Sequence, residues 1–140
     1  MMDPATWGVL HDGVITRALG VVPGDLTLSI EIRYLCGHLP TTAEHLVVMI
    51  SSCEQFEYRP FEQPPVTEPH AIAALELVLL YANLEESSIR VDCSDGGYGG
   101  ILLLRYESAQ LFTAEGRPLS QSEVESASEQ YWALWKQRQT

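Results

Sequence analysis

The sequence predicts an α+β domain: a single antiparallel β-sheet of about six strands with a C-terminal helix packed on one face. Three observations predict it. Residues 26–34 alternate apolar Leu26, Leu28, Ile30, Ile32 and Tyr34 with polar Thr27, Ser29, Glu31 and Arg33, the period-two pattern of a strand with one dry face. Turn-forming clusters, Pro23-Gly24-Asp25 and Asp95-Gly96-Gly97-Tyr98-Gly99-Gly100, separate short β-rich runs. Last, Ser120-Gln121-Ser122-Glu123 is a capping box ahead of an amphipathic stretch.

In chain order, residues 13–22 are β-branched enough to pair with 26–34 as a hairpin. In the turn between them Pro23 presets φ and Gly24 accepts a positive φ. A loop over 36–44 leads into a strand over 46–58, whose opening run Leu46-Val47-Val48-Met49-Ile50 reads as buried on both faces. Pro60, Pro64, Pro65 and Pro69 make 59–70 a long irregular connection. A short helical turn near Ala71 then precedes a strand over 77–84, and Glu85-Glu86-Ser87-Ser88 turns it back into a strand over 89–93. Two further strands are expected at 101–106 and 109–113, with Gly116-Arg117-Pro118 closing the sheet. The terminal helix is expected from Ser120 to Gln137. Val124, Ala127, Ser128, Tyr131, Leu134 and Trp135 form its apolar stripe with Trp132 at the edge, so the stripe is expected across the sheet. Glu123 and Glu125 suit the positive end of its dipole, Lys136 and Arg138 the negative end.

The 140 residues fit one domain, 1–140, large enough to bury a core without staples. A hydrophobic share of 46% and a mean hydropathy of −0.01 are ordinary for a packed domain. No apolar run approaches the ~20 residues that would span a bilayer, so no membrane partner is expected. Met1-Met2-Asp3-Pro4 lacks the basic start of a signal peptide, and Cys36, Cys53 and Cys93 are odd in number and widely spaced. These features are expected of a cytoplasmic protein with reduced thiols. Eight Lys and Arg against nineteen Asp and Glu leave a net charge of −11. Such a chain repels a phosphate backbone, which argues against nucleic acid, and is steered toward a basic protein partner.

Two groups of residues are candidates for a site. His11-Asp12 pairs an imidazole with a carboxylate, the chemistry of a general base or metal ligand. The competing expectation is that Asp12 closes a turn onto backbone N–H groups while His11 fills a half-buried polar slot. The second group is Glu54, Phe56, Glu57, Tyr58, Phe61, Glu62 and Glu68, where aromatic anchors accompany carboxylates of one sign, as on a partner-binding face. The same aromatics could instead pack the proline-rich loop onto the sheet. No metal site is expected, since His38 and His45 fall outside the usual ligand spacings and no Cys-x-x-Cys occurs. Nor is a nucleotide cofactor: the glycine run 96–100 precedes a strand pattern and lacks Gly-Lys-Ser/Thr.

Trp7, Leu10, His11, Asp12, Gly13 and Ile15, followed by the hairpin through Tyr34, resemble the start of small uncharacterised bacterial proteins with an N-terminal Leu-His-Asp-Gly/Ala motif. Some of these are grouped with immunity proteins paired with secreted toxins. The resemblance implies a non-enzymatic cytoplasmic binding module, an immunity- or antitoxin-like inhibitor of a basic partner. It brings no catalytic residue with it. The alternative is an enzyme or small-ligand binder using His11 and Asp12.

Overall fold

The computed structural model describes residues 2–139. The chain runs α1 (Pro4–Val9), β1 (Val14–Gly20), β2 (Gly24–Glu31), α2 (Arg33–Cys36), β3 (His45–Pro60), α3 (Pro69–Ala74), β4 (Val78–Glu85), β5 (Ser88–Ser94), β6 (Gly100–Thr113), β7 (Pro118–Leu119) and α4 (Gln121–Gln139). This is the expected α+β class: one antiparallel sheet, of seven strands, with a C-terminal helix.

The sheet order is β3-β2-β1-β4-β5-β6-β7, and β3 also pairs with β6. Strands β1 to β6 therefore form a ring of antiparallel pairings, with β7 appended to β6. The longest seam joins β3 to β6, from Leu46 opposite Thr113 to Pro60 opposite Gly100, with a bulge between Cys53 and Gln55. The shortest joins β1 to β4. Only Val14 and Val78 stand in register, reinforced by Ile15 N–H to the Leu77 carbonyl (3.0 Å) and Leu79 N–H to the Gly13 carbonyl (2.8 Å). Beyond that point α1 packs on β4 and α3 packs on β1, helices standing beside strand edges that would otherwise be open.

Alternation explains the interior. Leu26, Leu28 and Ile30 of β2, Leu46, Val48 and Ile50 of β3, and Leu102, Leu104 and Leu111 of β6 are all buried in one core. The expectation that 46–50 is buried on both faces is corrected here. Val47 is half-buried and Met49 is 50% exposed, because the outer surface of the ring faces water. The expected pair of strands at 101–106 and 109–113 is a single strand, β6, held continuous by its long partner β3. Gly100 permits that seam to close. A side chain there would come within 2.5 Å of the Arg59 carbonyl and 2.8 Å of the Tyr58 ring.

Three short helices frame the ring. Helix α1 precedes the first element expected from the sequence. Its signal is Asp3-Pro4: the Asp3 carboxylate accepts from Thr6 N–H at 3.0 Å, and Pro4 sits in the first turn, where no donor is needed. Tyr34, expected at the end of a strand, instead lies in the single turn of α2. Near Ala71 the expected helical turn is α3, and the strand after it is β4.

Helix α4 begins at the expected capping box. Ser120 Oγ accepts from Glu123 N–H and Glu123 Oε1 accepts from Ser120 N–H, each at 3.1 Å. Val124 and Ala127 enter the core, but the stripe expected across the sheet runs on over helices instead: Tyr131 and Trp132 are half-buried against α1 and α2, and Leu134 and Trp135 reach solvent. The apolar stripe outlasts the surface it packs on.

Candidate functional site

The motif around His11 builds a junction. Trp7 is buried, and its Nε1–H donates to Tyr106 Oη (3.0 Å), whose own hydroxyl donates to the Met2 carbonyl (2.6 Å). Leu10 and Ile15 are core residues. Gly13 is pressed so close to β2 that a Cβ would lie 2.8 Å from Ile30 Cγ2 and 2.9 Å from the Leu10 carbonyl. Most of the motif is thus accounted for by packing.

His11 and Asp12 are not brought together as a catalytic pair. The Nδ1 atom of His11 lies 3.1 Å from the Gly8 carbonyl; a carbonyl only accepts, so Nδ1 carries the proton. The ring stacks on Trp132 with centroids 5.8 Å apart and planes 14° from parallel. This is the half-buried polar slot expected for His11. Asp12 departs from expectation. Its carboxylate is exposed and makes no hydrogen bond among the described residues, while its backbone N–H donates to the Leu79 carbonyl at 2.7 Å. With φ at 68°, Asp12 serves the turn through its tolerance of the left-handed region, not as a side-chain cap.

Around His11 lies a cluster that sequence reasoning assigned to the core. Tyr34 sits 4.7 Å from Tyr131 and 5.8 Å from His11, Tyr131 meets Trp132 edge-on at 5.1 Å, and Trp132 meets Trp135 at 5.7 Å. His38 closes the far side against Tyr131. The Tyr34 hydroxyl donates to the His11 carbonyl at 2.7 Å. Burial pushes its pKa up, and the charge of Asp12 and the neighbouring Tyr131 add to that. The outcome is a ledge, half-buried at Tyr34 and open at Trp135, which is 44% exposed. Its signal in the sequence is the density of aromatics near the end of a helix longer than the body it packs on.

The second candidate group is dispersed. Phe56 and Tyr58 are core residues, 2% and 0% exposed, which corrects their assignment as anchors on a binding face. Their spacing of two in a strand turns both inward. Of the three aromatics only Phe61 reaches solvent. Tyr58 donates its hydroxyl to Asp95 at 2.8 Å, and Asp95 also accepts from Gly97 N–H (2.8 Å) and Gly99 N–H (3.1 Å). Those bonds hold the Asp95 carboxyl below the usual carboxylate range, the Tyr58 hydroxyl first. Glu54 is ion-paired with Arg105 at 3.0 Å, and Glu57 with Arg59. Glu68 caps α3, accepting from His70 N–H (3.1 Å) and Ala71 N–H (2.7 Å). Glu62 stands exposed in the loop with φ at 64°.

All three cysteines are buried thiols. Burial pushes Cys36 up to about 11 and Cys93 up to about 12, with nearby carboxylates adding to the shift, so neither is poised as a nucleophile near neutrality. Among the described residues no three His, Cys, Asp or Glu side chains are grouped to hold a metal ion, and no helix is long and apolar enough to cross a membrane. No protein-family model matches the chain, and neither a curated protein nor a solved structure is significantly similar to it.

Proposed function

We propose that the chain is a non-enzymatic protein-binding module for a basic partner, and more specifically an immunity- or antitoxin-like inhibitor. The observation that carries this reading is how its cations are placed. Arg33, Arg59, Arg90, Arg105 and Arg117 are each ion-paired to carboxylates of the same molecule. Most of the positive charge is thereby neutralised locally, and the surplus behind the net −11 is left to face the solvent. A field of that sign raises the encounter rate with a basic surface and repels acidic ones. The structural roles of Trp7, Leu10, Gly13 and Ile15 also favour this reading over the enzyme alternative, because the motif is explained without chemistry.

The test is coexpression with the products of the genes adjacent to its own. One product is expected to arrest growth alone, to be neutralised by this chain, and to bind it with an association rate that falls as salt is added. Growth arrest unrelieved by the chain would refute the inhibitor; an association rate indifferent to salt would refute the basic partner.

A further inference from the structure

The aromatic ledge on α4 is exposed apolar surface of a particular electrical character. Glu129 lies three residues before Trp132, and so on the same side of the helix, and it is exposed. Asp12, also exposed, follows directly on His11, whose ring stacks on Trp132. Among the described residues neither carboxylate has an ion pair, and both belong to the segments that carry a half-buried indole whose π face is itself electron-rich. The positive side chains of α4, Lys136 and Arg138, lie beyond Trp135 toward the helix end. The charge thus changes sign along the ledge, negative at Trp132 and positive past Trp135.

We propose that this ledge is the seat for an arginine or lysine side chain of a protein partner, its cation held against Trp132 and Trp135 between Asp12 and Glu129. The proposal rests on the basic-partner reading and adds to it a location and a recognition chemistry. A guanidinium suits it best, since its flat face stacks on an indole while its edges donate to carboxylates. The ledge is also prearranged. Tyr34, Tyr131 and His11 hold Trp132 from behind, so little side-chain freedom is lost when a partner docks.

The experiment uses the full chain and a short arginine-rich peptide, with the same peptide carrying citrulline for arginine as its neutral control, read by calorimetry and tryptophan fluorescence. The arginine peptide is expected to bind at low salt and the citrulline peptide not to. Asp12→Asn with Glu129→Gln, and separately Trp135→Ala, are each expected to weaken binding about five- to tenfold while the fold still melts cooperatively within a few degrees of the wild type, the scale of one cation–π contact or charge pair. The control is Glu62→Gln with Glu76→Gln, which removes the same net charge from the loops flanking α3 and is expected to have a smaller effect. Equal weakening by the two double variants, or citrulline binding as well as arginine, would overturn the seat and leave the basic-partner reading standing. Failure of the arginine peptide to bind at all would overturn both.

Discussion

The strand segment around Phe56 and the helix segment around Trp132 carry similar raw material, aromatics interleaved with charge, and the fold treats them oppositely. In β3 the period is two, and a closed ring has an inside. Phe56 and Tyr58 fill it while Glu57 and Arg59 pair on the outside. In α4 the stripe at helical spacing is as regular, yet the body it packs on ends near Tyr131, so Leu134 and Trp135 stay wet. Periodicity tells which side chains share a face. Whether that face meets anything depends on how far the rest of the molecule extends.

The largest expected effect breaks the helix side of this comparison in two places. A chain ending at Leu119 loses Val124 and Ala127 from the core and is expected to be insoluble or to lack a cooperative melt. One ending at Ala133 loses no core side chain, its apolar losses being the exposed Leu134 and Trp135, and is expected to melt cooperatively near the wild-type temperature. Thermal denaturation followed by circular dichroism separates the two, and equal behaviour would mean the stripe is not divided as described.

Next in size, Phe56→Ala is expected to cost about 3–5 kcal/mol, the range for an aromatic truncated inside a packed core. Trp135→Ala is expected to cost under about 1 kcal/mol, because its surface is already hydrated. Urea titrations of both variants measure the contrast directly.

A smaller effect sharpens the strand side. Tyr58→Phe removes the hydroxyl that Asp95 accepts from, at an expected cost of about 1 kcal/mol near neutral pH. Asp95 has its pKa lowered in the folded state, so its contribution is fully present above the ordinary carboxylate value and is lost as pH falls through the folded value. The gap between wild type and Tyr58→Phe should therefore close in acid. A gap that holds constant down to the acid transition would show that Asp95 is not the linked group.

The smallest effect concerns the turn. Asp12→Gly is expected to be neutral or stabilising by up to about 1 kcal/mol, since glycine relieves the left-handed backbone at φ 68° and no side-chain hydrogen bond is lost. A clear loss of stability in urea would restore the carboxylate as a cap.

Much of this architecture is legible in residue order because it depends on local physics. The alternation through 26–31, the Pro23-Gly24 turn and the reciprocal bonds of Ser120 and Glu123 are each decided within a few residues. Asp3-Pro4 carried an equally local helix signal. The inward turn of Phe56 and Tyr58 is also written in the strand period, which continues up to the proline-rich loop. Other features have no local signature. Alternation marks faces without naming partner strands, so the β3–β6 pairing that closes the ring, and the single register pair between β1 and β4, follow from how all six strands satisfy their backbone groups together. The ledge of His11, Tyr34, Tyr131 and Trp132 joins residues more than a hundred positions apart. Only the packed molecule decides that it exists and that one end of it remains open to water.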